Sequence, residues 1–482
     1  MLPSDQEEDS TSGRAFRLAA EKARRTTLFQ PSRMPGAYPI GLRLAQTRRF
    51  FRYFRRPESR AAVIRFQDSM LRRVVRHAYE TTPFIRNLME ETRLAPRDVT
   101  STAGLRRLPL TSKAMMKKVP AEHLISAPFR KIRLRFFQTT GSTGTPFLVR
   151  RTGFEDFLLH IFNLRCMTEY GLKARDRVLR VRSVGNWKKP LLWRIAETAG
   201  FFRQDRLPTT LPPRDLTEAL RRRRPEILTG YSGVLSRAAE ILNNEGSDPL
   251  GCRLVVLGAE LVTPRIRNLI QRAFGGNVYD TYASQEVGLM AWECPRTGLY
   301  HVCDDNVILE VLKDGRDVPC REGEEGEIVV TCLQTLAMPF LRFRLEDVAV
   351  RGPTPCPCGA PYSTIASVKG RMQDYFVLPD GREIYAWYIV SLFSEQAPWI
   401  RQYDLEQEDS GRILMRAVPL RLPSPEDIEA CRELFKIVLG PDLDVRVEIV
   451  THIPPGPGGK FYYHRSRRLS VYHPEDWGQS GF

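Results

Sequence analysis

Two stretches read as a strand followed by a helix, and a third strand follows them. This repeat constrains the fold more than any other feature. EILTGYSGVLSRAAEIL (226–242) reads as a strand, a turn and a helix. RLVVLGAELVTPRIRNLIQRAFG (253–275) repeats the pattern, and NVYDTYASQE (277–286) is a further strand that runs into a polar turn. Strands alternating with helices predict an α/β fold around buried parallel strands. Ligands of such sheets collect beyond the carboxyl ends of the strands. The residues that close these strands are therefore the first candidates for a site.

The rest of the chain fills in the organisation. At 482 residues it is too long for one core, so two or three domains are expected. Val63, Phe66, Met70, Val74 and Ala78 recur at helical spacing until Pro83 breaks the pattern. LPLTSK (108–113) reads as a turn and a new helix start, FEDFLLHIFNLRCMTEYGL (154–172) as a helix, and RVLRVRSVG (177–185) as a strand. Beyond 305 the texture becomes strand-like, in VILEVL, GEIVVTCL, FLRFRLEDVAV and DYFVLPDGREIY, with Asp-Gly turns at 314–315 and 380–381. The expected architecture is α/β: a large N-terminal domain with mixed sheets flanked by helices (61–372), plus a small mobile α+β C-terminal domain (373–482). Residues 1–60 read as a basic N-terminal extension.

Charge narrows the partners without choosing one. The net charge of +17 suits nucleic acid, an anionic membrane or small polyanions. The run RRFFRYFRRPESR (48–60) interleaves arginines with aromatics, and its simplest reading is rings packed on the body with the arginines wet. No run reaches the roughly 18 apolar residues of a membrane span. The start is polar and acidic, unlike a secretory signal, so a cytoplasmic location is expected and no nucleic-acid partner is. Nine cysteines without small-domain spacing suggest metal binding rather than disulfides.

Two loops carry candidate chemistry. QTTGSTGTPF (138–147) is rich in glycine and hydroxyls. Gly141 and Gly144 would let the backbone approach an anion, and Thr139, Thr140, Ser142, Thr143 and Thr145 would donate to it, which makes a phosphate cradle or an ordinary surface turn. No lysine follows as in a P-loop, so a cation must come from elsewhere. HIPPGPGGKFYYHR (452–465) offers Lys460.

Taken together, these segments resemble the adenylate-forming enzymes, in the branch of phenylacetate–coenzyme A ligase-like proteins. The resemblance rests on QTTGSTGTP, LGAE (257–260), YDTYASQEVG (279–288), LRFRLEDVAV (341–350), KGRMQDYFVLPDG (369–381) and GPGGK, in that order. VVRHAYETTPFIRNLMEE is similar to the N-terminal helices of this branch, and the likeness spans roughly 65–480. It implies that the loop Thr139 to Thr145 binds the β- and γ-phosphates of ATP. It further implies that Gly258, Ala259 and Glu260 line the adenine and acyl sites, that Tyr282 stacks on adenine, and that Glu286 holds Mg²⁺. Asp347, assisted by Arg371, would bind the ribose, and Lys460 would bridge the carboxylate and the α-phosphate. The sequence departs from the family pattern at Gln285, Ala283, Gln373 and Glu346. The branch also often carries zinc, and Cys294, His301, Cys356 and Cys358 supply three thiols and an imidazole for it, with Cys303 as a rival ligand and free thiols as the alternative.

The activity so implied is ATP-dependent activation of an aryl or acyl carboxylic acid, followed by thioesterification to coenzyme A. Transfer to an amine and an inactive basic scaffold are the competing expectations. A homodimer is compatible with the same reading.

Overall fold

The computed structural model describes residues 57–138, 147–182, 197–201, 203–209, 211–260, 262–313, 316–371, 375–378, 383–385, 396–440, 443–454 and 464–466. The glycine-rich loop, the basic run up to 56, both Asp-Gly turns, Gln373 and Lys460 lie outside the described residues.

The periodic run from Val63 forms α1 (Arg60–Thr81), which buries Val63, Met70, Val74 and Ala78. Pro83 does more than end it. It opens α2 (Pro83–Glu91), where its missing N–H has no helical partner to lose. Ser112 caps the short helix α3 (Lys113–Lys117) by accepting from the Met115 amide. Next, β1 (Arg135–Gln138) and β2 (Leu148–Arg151) pair antiparallel, with Gln138 opposite Leu148. The hydroxyl-rich loop thus joins the two strands of a hairpin. Thr152 and Glu155 then cap α4 (Gly153–Glu169) reciprocally.

The strand–helix repeat follows. It runs β3 (Val178–Val181), β4 (Gln204–Leu207), α5 (Pro213–Arg223), β5 (Ile227–Tyr231), α6 (Ser232–Asn244), β6 (Leu254–Gly258), α7 (Pro264–Phe274) and β7 (Asn277–Ser284). Strands β4, β3, β5, β6 and β7 are parallel neighbours in that order. Successive strand residues face opposite ways. Leu179, Val181, Leu228, Val255 and Leu257 meet α5, α6 and α7 on one face. Val178, Ile227, Leu254 and Val256 meet Leu159, Phe162 and Cys166 of α4 on the other. Each such side chain contributes about 1.5–3 kcal/mol by leaving water. Burial on both faces is why these strands read as unbroken apolar runs.

Beyond β7 the sheet turns antiparallel through β8 (Gly288–Glu293), β9 (Tyr300–Val302), β10 (Val307–Leu312), β11 (Glu325–Cys332), β12 (Phe343–Arg351) and β13 (Thr364–Arg371). The full eleven-stranded order is β10-β11-β12-β13-β9-β8-β7-β6-β5-β3-β4. A hairpin of β14 (Tyr375–Val377) and β15 (Glu383–Tyr385) follows. The C-terminal part holds β16 (Ile400–Gln407), β17 (Ile413–Pro419), α8 (Pro425–Leu439), β18 (Val445–Ile449) and β19 (His464–Ser466), in a sheet of order β18-β17-β16-β19. Its own core includes Phe376, Trp399, Leu405, Met415, Cys431 and Phe435.

Candidate active site

The site begins where β6 and β7 end side by side. Gly258 pairs with Thr281. A Cβ at Gly258 would lie 2.7 Å from Thr281 Oγ1 and 3.0 Å from the Thr281 carbonyl oxygen. That hydroxyl is already committed, donating to the Leu257 carbonyl at 2.8 Å. Only glycine lets the two strand ends close to this distance. Ala259 then takes φ +70°, a left-handed conformation that a non-glycine residue adopts at a cost of roughly 1–3 kcal/mol. The Glu260 carboxylate turns to the amino end of α6, where it accepts from the Gly233 amide at 2.6 Å and from Ser232 Oγ at 3.2 Å.

Three of the sequence-predicted residues converge across the antiparallel half. Tyr282 Oη donates to Asp347 Oδ2 at 2.5 Å, so the tyrosine expected to face adenine reaches across to the predicted ribose ligand. Arg371 pairs with Asp347 in the β12–β13 register, although its side chain lies outside the described residues. Glu346, one of the departures from the family pattern, takes φ +63° immediately before Asp347. Glu286 is buried, with 3% of its surface exposed.

Two cations near Glu286 were not legible as site residues in the sequence. Lys113 Nζ lies 3.2 Å from Glu286 Oε1. It is placed by the strand-like residue before its helix: the Thr111 amide donates to the Arg342 carbonyl at 2.9 Å, and the Arg344 amide donates to the Thr111 carbonyl at 2.8 Å. LPLTSK was readable as a helix start, and only the tertiary pairing shows where its lysine goes. The second is Arg151, 5% exposed at the foot of the hairpin, with its guanidinium 4.0 Å from the centroid of the Phe137 ring. Burial pushes its pKa down, opposed by nearby carboxyl groups, Asp156 foremost, then Glu155 and Glu286.

A separate constellation lies beyond β8. Ligand atoms of Cys294, His301, Cys356 and Cys358 all fall within 4.8 Å of one another. Cys358 Sγ and His301 Nε2 are 3.3 Å apart. In a tetrahedral site of thiolates and imidazole the donor atoms stand roughly 3.5–3.8 Å apart, so the donor set and spacing suit such an ion. The Ala360 amide donates to Cys358 Sγ at 3.4 Å. The Trp292 ring meets His301 edge-on at 5.5 Å. The rival ligand Cys303 lies elsewhere, buried against Arg165 (3.3 Å) and the Arg165–Asp305 ion pair. Cys166, Cys252, Cys332 and Cys431 are core, as their apolar surroundings predict.

Known proteins share this architecture. No family model matches the chain. A phenylacetate–coenzyme A ligase of Thermus thermophilus is 26% identical over 433 residues, covering 84% of this chain and 95% of that protein. One from Escherichia coli is 23% identical over 419 residues, covering 81% and 92%. Among solved structures, a 2-hydroxyisobutyryl-CoA ligase in the postadenylation state, in complex with 2-HIB-AMP, superposes with a TM-score of 0.71 at 18% identity, over 86% of this chain and 91% of that one. The same ligase in the thioesterification state gives 0.58. The fold is that of solved adenylate-forming coenzyme A ligases, and the sequence similarities support the same class. Within that class the chain is most readily compared with phenylacetate–coenzyme A ligases, to which it is 23–26% identical over 66–84% of its length, and this similarity supports an acid–thiol ligase. Among the described residues, no helix is long and apolar enough to cross a membrane.

Proposed function

We propose that the chain activates an aryl or acyl carboxylic acid with ATP and passes the acyl group to the thiol of coenzyme A. The observation that carries this reading is the convergence of Gly258, Tyr282, Glu286 and Asp347 at the carboxyl ends of β6 and β7 and on the facing β12. They stand in the order the resemblance requires, beside a hairpin whose loop is built of glycines and hydroxyls.

In this reading a carboxylate oxygen attacks the α-phosphorus of ATP and pyrophosphate leaves. The thiol sulfur then attacks the acyl carbon, AMP leaves with the carboxyl oxygen, and the thiol proton passes to solvent. The protein's work is positioning and charge neutralisation. Glu286 would hold Mg²⁺, which supplies charge neutralisation at the phosphates when bound. Lys113 holds positive charge next to that carboxylate, at 3.2 Å. The loop 139–145 would cradle the β- and γ-phosphates, Asp347 with Arg371 would orient the ribose, and Lys460 would bridge the two reacting groups. Cys294, His301, Cys356 and Cys358 would hold a structural Zn²⁺ that ties the β8–β9 turn to the loop between β12 and β13. The domain boundaries near 60 and 372 belong to the same proposal.

The test is pyrophosphate release with ATP and Mg²⁺ across aryl, fatty and amino acids, with and without coenzyme A. Release that depends on one acid and turns over faster with coenzyme A supports the reading. Release indifferent to coenzyme A redirects the acceptor to an amine. No release with any acid, together with no ATP binding by calorimetry, defeats it.

A further inference from the structure

Three arginines crowd one face of the parallel sheet close to its carboxyl edge. Arg180 on β3 is the registered partner of Arg206 on β4 and of Thr229 on β5, so these side chains share a face. Arg182 follows two residues after Arg180, on the same face. Its amide donates to the Leu207 carbonyl at 3.0 Å, which keeps β3 and β4 together up to this point. Like charges placed this way repel. Burial, then Arg182 and Arg206, push the Arg180 guanidinium down to about 9.

Among the described residues, no carboxylate forms an ion pair with Arg180 or Arg182. Asp156, on the facing α4, is held by Arg135 at 2.5 Å, and Glu260 is turned to the α6 amides. The chain that continues from Arg182, SVGNWKKPLLWRIA, contains Lys188, Lys189 and Arg194 and no acid. Buried polar atoms on this face that lack hydrogen-bond partners include Arg180 Nε and Thr229 Oγ1, the latter on a side chain with 4% exposure. A buried donor left unmade costs about 1–3 kcal/mol, and charged groups cost more.

The cluster lies in line with the active site. Along the carboxyl edge, β3 is followed by β5 with Tyr231, β6 with Gly258 and β7 with Tyr282. Three strand spacings of about 4.8 Å separate β3 from β7, on the order of 14 Å. The cavity lined by Arg177, Glu197, Arg203, Asp205 and Arg223 is at the opposite, amino ends of β3 and β4, away from this edge.

We infer that Arg180, Arg182 and Arg206, with Thr229, bind a second anionic group of a substrate (a carboxylate, sulfonate or phosphate) on the order of 10–14 Å from the reacting carboxylate. This rests on the proposed acid-activating reading and adds a substrate class to it: acids with an anionic far end. The same chemistry is met by a phosphate of the coenzyme A acceptor, and the two sources separate experimentally.

The first arm is ATP–pyrophosphate exchange, which needs no coenzyme A, with octanedioic and decanedioic acids against octanoic and decanoic acids. An acid source gives a kcat/KM at least about tenfold higher for the diacids, and Arg180→Met collapses that ratio. An acceptor source leaves the acids equal and instead gives a KM for coenzyme A about tenfold below that for 3′-dephospho-coenzyme A, again lost in Arg180→Met. The second arm is independent of catalysis. Sodium sulfate, compared with chloride at matched ionic strength, raises the Tm of the wild type more than that of Arg180→Met. Should that variant fail to fold, Arg182→Gln, whose side chain is exposed, replaces it in both arms. Equal protection of wild type and variant by sulfate, with no charge preference in either substrate, overturns the inference. Selective protection by sulfate without exchange by any acid retains the anion site and defeats the acid-activating reading instead.

Discussion

Replacing Glu240 with glutamine tests how the C-terminal part docks on the large domain. Arg237 of α6 donates to Gln402 Oε1 at 2.6 Å and to the Ile453 carbonyl at 3.4 Å. Arg265 of α7 donates to the carbonyls of Ala397 and Pro398, each at 3.4 Å. Glu240 lies among these groups. Burial pushes its pKa up from the ordinary 4.5 to about 7, against the attraction of Arg401 on β16, Arg265 on α7 and Arg237 on its own helix. A carboxyl raised in this way holds its proton in the docked state and loses it on release. Docking is therefore least burdened below about pH 4.5, and the full cost of the charge is present above about pH 7. At about 1.36 kcal/mol per pH unit the cost reaches about 3 kcal/mol at most, less where water reaches the carboxylate. Glutamine mimics the protonated form. The effect of Glu240→Gln on Tm, measured at pH 8 and again at pH 5, should therefore be more favourable at pH 8, by up to that amount. Comparing the two pH values cancels any packing change that is independent of pH. A Tm difference that is the same at both, or that favours glutamate at pH 8, refutes the argument. Limited proteolysis over the same pH range reports whether the change is local to the docking surface.

Three further outcomes are expected. Gly258→Ala forces a Cβ against Thr281 and should cost on the order of 1–3 kcal/mol in urea unfolding, with a larger loss of pyrophosphate exchange than of stability; a silent substitution would remove the close approach of β6 and β7 from the argument. Treatment with 1,10-phenanthroline should lower the Tm and release zinc, and Cys294→Ser should show the same lowered Tm without treatment; freshly purified protein free of zinc by metal analysis would sink the assignment. Lys460→Ala should abolish adenylation while ATP binding survives, and wild-type exchange from that variant would remove the lysine from the reaction.

Periodicity is a local property, and what it encodes was readable. The apolar runs at 227–231 and 254–258 are strands covered on both faces, and the spacing from Val63 to Ala78 is one buried helix stripe. The strand QDRL (204–207) was not readable, because three of its four residues are polar or charged and its place is set by pairing with β3. The candidate site residues divide in the same way. Gly258, Tyr282, Glu286 and Asp347 stand in ordered motifs, so sequence reasoning could name them and place them near strand ends. It could not find that Tyr282 and Asp347 hydrogen-bond each other, because 65 positions separate them and only the folded sheet joins them. Lys113 is the sharper case. In sequence it is one of 73 basic residues, with no motif around it beyond a helix cap. Its meeting with Glu286 depends on Thr111 pairing with Phe343, 232 residues away, and no local spacing records that contact. The arginines of β3 and β4 follow the same logic: their net charge was visible at once, but their alignment on one face of one sheet is a fact of register. Register is what turned an unspecific excess of positive charge into a located site for an anion.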